Sequence, residues 1–327
     1  TPTGAFAAAR RPLGILRQFL GTEGRINVTG VLPIDKPPGM TSHDVIDRVR
    51  RRLNMRKVGH TGTLDPLATG VLVLCLGRAT RLSSYLTDHD KTYSAHVRLG
   101  VRTSTLDAEG EVVARSGRVP GRLEDVRGAV ASFVGEIEQI PPMFSARKMD
   151  GRRLYQLARE GTEVARRPSR VRVYEIELED FRPPDLHLTV SCSKGTYVRT
   201  LADDIGRKLG CGAYLAGLRR TAAGPVRIDQ CVTFDQLESV RSKAELQPFL
   251  MDPNRLLRDL PRLNLDAAQA GSFVHGNAVA NLEDSTALES GRLVRALYPE
   301  GVLLGIGRWR ASDRMLKPVR VLRQLES

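Results

Sequence analysis

A loop that carries a carboxylate runs directly into a buried strand at residues 58–76, which read VGHTGTLDPLATGVLVLCL. The last six residues, from Val71 to Leu76, are continuously apolar, which is typical of a strand covered on both faces. Residues 58–70 show no regular periodicity and include Asp65. Because Pro66 favours an extended backbone at the residue before it, Asp65 is expected to project its carboxylate away from the chain, next to a rigid strand.

The segments around this stretch predict a mixture of strands and helices. Residues 31–34 predict a strand that ends at the turn DKPPG, and Thr41 with Asp44 forms a capping-box pattern at the start of a helix. Residues 93–99 and 186–193 alternate as half-buried strands, with Tyr93 as the first inward residue of its strand. Helices are predicted over 123–134 and after 199. The expected inward side chains are Ile46, Val49, Leu53, Leu123, Val126, Val130, Phe133, Leu186, Val190, Cys192, Leu201, Ile205 and Leu209.

Residues 143–172 form a basic segment with little to bury. It reads MFSARKMDGRRLYQLAREGTEVARRPSRVR and offers only Leu154, Leu157 and Ala158 as one short apolar stripe. Two interpretations remain open: a mobile arm that becomes ordered on its partner, or a solvated helical hairpin.

The C-terminal part predicts a separate small module. Prolines 248, 253 and 261 precede a boundary at residue 262, and short strand-like runs follow at 292–298, 301–306 and 315–322. The expected organisation is an extension over 1–29, a main domain over 30–258 and a β-rich module over 262–327.

Charge is the informative part of the composition. The 327 residues include 50 Lys and Arg against 37 Asp and Glu, a formal net charge of +13. Such a balance favours an anionic partner, since each basic side chain that neutralises a phosphate releases a counterion. The hydrophobic share of 41% and charged share of 27% are those of a folded protein and exclude a disordered chain.

Several other classes of function are disfavoured. The four cysteines show no C-x-x-C spacing, which argues against a zinc site or disulfide framework and favours a reducing, cytoplasmic compartment. No phosphate-binding loop, nucleophile elbow or apolar run of spanning length occurs. We therefore expect no metal and no membrane span.

Three residues are candidates for chemistry, and each alone has a structural alternative. Asp65 fits a nucleophile or general base, but a turn-capping aspartate is equally consistent with its loop. Tyr93 fits a core tyrosine. Arg199 in GTYVRT lies at a strand-to-helix junction, where it can clamp a carboxylate or phosphate or simply face solvent.

Five motifs together carry a family resemblance. VLPIDKPPGMTSHDV (31–45), VGHTGTLDPLATGVL (58–72), DKTY (90–93), FSARKMDGRRLYQLAREG (144–161) and GTYVRTLADDIG (195–206) follow in this order. In this arrangement the sequence resembles the TruB family of bacterial tRNA pseudouridine-55 synthases, from about Val31 to Ile228. FVHGN (273–277) and LKPVR (316–320) resemble that family's small PUA-like RNA-binding module less closely.

The resemblance implies the fold, the substrate and the reaction. The expected fold is α+β, a pseudouridine-synthase fold with a mixed, mainly antiparallel central sheet followed by the β-rich module. The expected reaction is isomerisation of a flipped-out uridine at position 55 of the tRNA T-stem-loop, without a cofactor, by a monomer that needs no protein partner. A related synthase that acts on ribosomal or guide-RNA-directed sites, and a non-catalytic tRNA-binding protein on the same scaffold, remain alternatives.

The resemblance also implies roles for individual residues. Asp65 is the catalytic carboxylate; Arg199 pairs with it and keeps it ionised; Tyr93 packs against the base and handles a proton. The implied substrate contacts are His60, Tyr197, Lys36 and Leu218. Lys36 either braces the catalytic loop or meets a phosphate, and His60 supports nucleotides next to the flipped base. Tyr197 is expected on the same side as Arg199, on an extended segment.

Overall fold

The computed structural model describes residues 28–145, 147–149, 151–162, 164–280, 282 and 288–322. The predicted extension over 1–29 lies outside this range except for its last two residues, as do residues 323–327 of the predicted C-terminal module. No helix of the described chain has the length and apolar character to cross a membrane.

Strands and α-helices both occur throughout the described part of the chain. The strands are β1 (Gly30–Lys36), β2 (Val58–His60), β3 (Thr69–Leu76), β4 (Lys91–Leu99), β5 (Val101–Thr103), β6 (Val112–Arg115), β7 (Gly135–Gln139), β8 (Lys148–Met149), β9 (Arg152–Arg153), β10 (Ser169–Arg182), β11 (Asp185–Cys192), β12 (Ala213–Ala223), β13 (Val226–Arg227), β14 (Arg262–Asn264), β15 (Leu293–Tyr298), β16 (Val302–Arg310) and β17 (Met315–Val321). The α-helices are α1 (Ser42–Arg52), α2 (Ser83–Thr87), α3 (Leu123–Ala131), α4 (Leu154–Arg159), α5 (Val198–Lys208), α6 (Phe234–Ser239), α7 (Lys243–Leu246), α8 (Pro253–Leu256) and α9 (Ala267–Val274).

The main sheet is mixed and mainly antiparallel, which confirms the predicted fold class. Its strand order is β1-β3-β12-β4-β11-β10-β7, with β2 added to β3 and β13 added to β12. The β3–β12 pair is parallel, at Arg219↔Thr69 and Arg220↔Gly70; the other pairs in this sheet are antiparallel. A second sheet of order β14-β15-β16-β17 forms the predicted β-rich C-terminal part.

Strand β3 is buried on both faces, as its unbroken apolar sequence predicts. Leu72, Leu74 and Leu76 enter the main core beneath α1 and α5. Val71, Val73 and Cys75 enter a second core that also contains Leu297 and Leu303 of the C-terminal sheet. The loop that carries Asp65 therefore leads into a strand that is packed on both faces and held in place.

The local signals of the sequence are largely confirmed. Thr41 caps α1 through a complete capping box with Asp44, and β4 buries alternate residues from Lys91 onward. Lys91, rather than Tyr93, is thus the first inward residue of that strand. The predicted helix over 123–134 ends at Ala131, and Leu123, expected to point inward, is 38% exposed.

The basic segment is not a helical hairpin where the structure describes it. It contains the short hairpin β8–β9 followed by α4, so the helical-hairpin alternative is wrong. Its last residues, 169–172, belong to β10 and pair with β7 in the main sheet. Residues 169–172 join the sheet because Val171 and Val173 are buried and fill the core. The basic residues next to these valines, Arg170 and Arg172, obscured this strand alternation in the sequence.

Candidate active site

A cavity of about 230 Å³ opens where the Asp65 loop meets the starts of β4 and α5. Asp65, Tyr93, Tyr197, Arg199 and Leu218 of the predicted site lie in its wall. The other residues of the wall are Gly62, Thr63, Leu64, Thr87, Lys91, Ser145, Ser193, Lys194, Gly195, Thr196, Val198 and Arg220. The structure thus brings together five of the seven predicted site residues, from segments up to 153 residues apart in the chain.

The Asp65 loop is fixed from below by α1 and β1. The hydroxyl of Ser42 accepts from the Leu64 N–H at 2.8 Å and donates to the Leu64 carbonyl at 3.0 Å. The Lys36 ammonium, fully buried, donates to the carbonyls of Met40 and Pro66 at 2.6 and 3.2 Å. Backbone atoms on both sides of Asp65 are therefore held in place, which pre-organises the carboxylate.

Arg199 joins Asp65 to a second carboxylate. Its Nη2 lies 2.9 Å from Asp65 Oδ2, and its Nη1 lies 3.2 Å from Asp107 Oδ2. The guanidinium also donates to the backbone carbonyls of Thr105 and Phe144 at 3.2 and 2.8 Å. Only 6% of the Arg199 side chain is exposed, against 39% for Asp65. The arrangement leaves Asp65 open to the cavity while its orientation is determined by buried partners.

The pKa of the Asp65 carboxyl is raised above its ordinary value, chiefly because of burial. The charge of Asp107 acts in the same direction, while Arg199 and Lys36 lower the pKa. Arg199 therefore favours the ionised form of Asp65, in the predicted direction, and offsets part of the cost of placing a carboxylate here. A carboxylate of raised pKa is a stronger base, as general base catalysis requires.

Tyr93 reaches the cavity from the buried face of β4, and 9% of its surface is exposed. Burial raises the pKa of its phenol, whereas the charge of the nearby Arg220 guanidinium lowers it. Its ring supplies an apolar surface for a planar base, and its hydroxyl is a group that can carry a proton.

Tyr197 and Arg199 line the same cavity by a geometry the sequence did not predict. The segment is not extended: Tyr197 is the N-cap of α5, and Arg199 lies in its first turn. The buried Gln139 holds this junction, since its amide accepts from the Tyr197 N–H at 3.0 Å and donates to the Tyr197 carbonyl at 3.2 Å. Leu218 enters from the neighbouring strand β12.

His60 and Lys36 lie outside the cavity wall. His60 ends β2, and its Nδ1 accepts from the N–H of Gly62 at 3.2 Å, so it shapes the turn that leads to Asp65. Lys36 is fully buried beneath the loop, and burial lowers the pKa of its ammonium to about 8. Of its two predicted roles, this position corresponds to bracing the loop rather than to meeting a phosphate.

Asp107, Arg220 and Ser42 belong to the site but were not predicted from the sequence. Asp107 follows Leu106 in the turn between β5 and β6, where an aspartate before Ala-Glu-Gly is read as an ordinary turn residue. The role of the Ser42 hydroxyl was not predicted because the capping box of its neighbour Thr41 already accounted for the polar residues at the start of the helix. Arg220 lies on β12, inside the main sheet. Because buried arginines are rare, a charged residue on such a strand was a signal that could have pointed to a functional role.

The electrostatic character of the wall is positive. Four basic side chains line the cavity against the single carboxylate of Asp65: Lys91, Lys194, Arg199 and Arg220. This excess of positive charge suits an anionic ligand.

Within the described ranges, no group of three or more His, Cys, Asp or Glu side chains could hold a metal ion. Two arginines of α1 outside the cavity have protein partners: Arg48 pairs with Glu238, and Arg52 donates to the carbonyls of Leu237 and Glu238.

A chain with this sheet order, and with one carboxylate in the cavity wall held by a buried arginine, matches models of pseudouridylate synthases over most of its length. The solved structure described as "Crystal Structure of a Cbf5-Nop10-Gar1 Complex" superposes with a TM-score of 0.71 at 27% identity, over 90% of this chain and 85% of that chain. Residues 50–198 match the TruB family pseudouridylate synthase N-terminal domain, residues 199–258 the tRNA pseudouridylate synthase B C-terminal domain, and residues 261–322 the pseudouridine synthase II TruB C-terminal domain.

Relatives of similar length agree with these matches. A protein named "tRNA pseudouridine synthase B" from Cupriavidus metallidurans is 46% identical over 91% of this chain and 96% of its own length. A protein of the same name from Pseudomonas aeruginosa is 45% identical over 91% of this chain and 97% of its own length. The chain belongs to the TruB family of pseudouridylate synthases, and the protein is accordingly an isomerase.

Proposed function

We propose that the protein isomerises uridine 55 in the T-loop of tRNA to pseudouridine, with Asp65 as the catalytic carboxylate. The observation that carries the proposal is the Asp65–Arg199 pair at the wall of a cavity that Tyr93 also lines. The names of its relatives support tRNA as the substrate, and we propose that the protein acts on tRNA in the cytoplasm.

The reaction rearranges one nucleotide without adding or losing an atom overall. The N1–C1′ bond breaks, the uracil turns, a C5–C1′ bond forms, and the proton released from C5 is balanced by the proton that N1 gains. The Asp65 carboxylate serves by adding to C1′, by adding to the uracil ring, or by removing the 2′ proton to form a glycal. Tyr93 packs on the base and takes part in the proton transfer.

A uridine in a structured loop must leave its stack before Asp65 can reach it. Extrusion of a base costs a few kcal/mol, and the positive wall with Lys194 at its rim offsets this cost through backbone contacts. Tyr197 and Leu218 are proposed to hold the extruded base. His60 and Lys36 are proposed to act through the loop on which Asp65 lies. The module over 262–327 is proposed to bind RNA beyond the loop.

The decisive experiment uses a minimal T-stem-loop that carries 5-³H-uridine at position 55. Purified protein alone is expected to release the tritium stoichiometrically and to leave pseudouridine at that position. A matched loop labelled at another uridine should release none. Release of no tritium, or of tritium from the other position, contradicts the proposal.

A second candidate is a synthase that depends on guide RNA and partner proteins, because the similar solved structure is that of a Cbf5-Nop10-Gar1 complex. The same assay separates the two functions. Product formed by the protein alone, eluting as a monomer, supports the first. Product that requires added guide RNA supports the second.

A further inference from the structure

Arg220 contacts the loop that carries Asp65 and lies next to Tyr93 in the sheet. Its side chain is 2% exposed. Its Nε donates to the Val71 carbonyl at 2.6 Å, and Nη1 and Nη2 donate to the carbonyls of Thr63 and Gly62 at 3.4 and 3.1 Å. Gly62 and Thr63 belong to the loop that carries Asp65. One guanidinium thus ties the end of β12 to β3 and to the catalytic loop.

The same residue lies directly opposite Tyr93. Arg220 and Tyr93 form a cross-strand pair in the antiparallel β4–β12 ladder, so their side chains share one face of the sheet. The charge of the guanidinium favours the ionised form of the Tyr93 phenol. The other charged or titratable groups that act on Tyr93 are Cys192 on β11 and Asp65 on the loop, and both disfavour the ionised form.

The charge of Arg220 has no protein carboxylate to balance it in the described part of the chain. Arg199 binds Asp65 and Asp107, and Arg219, the neighbour of Arg220 on β12, binds Asp35 at 2.7 Å. Arg220 has carbonyl partners instead. Because a buried charge is normally paired, a guanidinium held among neutral acceptors is available to stabilise negative charge that develops nearby.

We propose that Arg220 is a positioning residue for the isomerisation: it fixes the backbone of the Asp65 loop and places positive charge beside the hydroxyl of Tyr93. The inference rests on the proposed function, since it assigns Arg220 a part in the proton transfer that Tyr93 carries out. Arg220 acts on the step in which the Tyr93 hydroxyl gives up or shares its proton, and it contributes little to the affinity for RNA.

Arg220→Lys tests the inference because it keeps the charge but lacks the planar fork of donors that reaches three carbonyls in different directions. In single-turnover assays with the T-stem-loop, the rate is expected to fall on the order of 10- to 100-fold. The dissociation constant of the RNA is expected to stay within about twofold, as for a group whose effect appears only in the transition state. Arg219→Lys, the same change on the opposite face of the strand, is the control and should retain the wild-type rate. Arg220→Met, which keeps the linear apolar part of the side chain but removes its charge, replaces the lysine variant if the latter does not fold.

A double-mutant cycle with Tyr93→Phe distinguishes positioning from general support of the fold. If Arg220 acts through Tyr93, the combined loss is smaller than the product of the two single losses. Multiplicative losses, a weakened RNA affinity at an unchanged rate, or a fully active Arg220→Lys each overturn the inference. Failure of the wild-type protein to form pseudouridine would instead refute the proposed function on which it rests.

Discussion

The hydroxyl of Ser42 and the backbone of Leu64 exchange two hydrogen bonds, at 2.8 and 3.0 Å, across 22 residues of chain. Ser42 is the first residue of α1, and Leu64 directly precedes Asp65. Both are buried. The first turn of a helix therefore determines the backbone position of the proposed catalytic carboxylate, which explains how a residue in a loop can be placed as rigidly as one in a strand.

Ser42→Ala is expected to lower both stability and turnover. It leaves the buried N–H and carbonyl of Leu64 without their partner, which costs on the order of 1–3 kcal/mol. Urea denaturation measures the first effect and single-turnover tritium release the second. Ser239→Ala is the control, since Ser239 is exposed and its hydroxyl donates to the Gln236 carbonyl of its own helix. Turnover equal to that of the wild type in Ser42→Ala would show that this anchor does not position Asp65.

Asp65→Asn is expected to abolish tritium release while RNA binding persists. The amide keeps the shape of the carboxylate but is neither a nucleophile nor a base, and Arg199 retains Asp107 as its ionic partner. Fluorescence anisotropy with the T-stem-loop measures binding in the same preparation. Asp229→Asn, a change at an exposed carboxylate, should leave both properties unaltered. Substantial turnover by Asp65→Asn would exclude this carboxylate as the catalytic group.

Asp107→Asn is expected to move the acid limb of kcat/KM to lower pH and to reduce kcat. The charge of Asp107 contributes to the raised pKa of Asp65. Its removal lowers that pKa, so Asp65 stays ionised to a lower pH than in the wild type. The rate falls because Arg199 loses the partner that orients it. A pH–rate profile of the variant measures the shift, and an acid limb that stays in place or moves upward contradicts the assignment.

Asp203→Asn provides the matched control for this experiment. Asp203 is as deeply buried as Asp107 and binds Arg102 and Arg207 at 2.7 and 2.6 Å, but it does not line the cavity. Both substitutions are expected to destabilise the fold on the order of 2 kcal/mol. Only Asp107→Asn should change the pH profile.

The fold was largely predictable because its signals are local. The capping box of Thr41 and Asp44, and the alternation that begins on β4, depend on neighbouring residues alone. The unbroken apolar run of β3 predicted two covered faces but not what covers them. The covering residues, among them Leu297 and Leu303, lie more than 220 residues further along the chain, and no periodicity can indicate such a contact.

The site was predictable only in part, for a related reason. Asp65, Tyr93 and Arg199 were each ambiguous alone, and the family resemblance joined them. Asp107 was missed because a turn aspartate shows its role only when α5 brings a guanidinium to it. The expected geometry of Tyr197 was wrong because the helix begins one residue after it, an element boundary that sequence patterns locate poorly.

Gly70→Ala is expected to be strongly destabilising, because two strands meet closely at this residue. Gly70 has a φ of +96°, and a Cβ there would lie 2.2 Å from the backbone carbonyl oxygen of Arg220, which cannot move without disturbing β12. We expect a loss of more than about 2 kcal/mol in the free energy of unfolding, together with lower turnover, since the shift displaces Arg220 from the catalytic loop. Gly128→Ala is the control: this residue lies in α3 with open space around its Cα, and the change should stabilise the helix by up to about 1 kcal/mol. Urea denaturation of both variants measures the contrast, and a Gly70→Ala protein as stable as Gly128→Ala would show that the approach of β3 to β12 is not required by the fold.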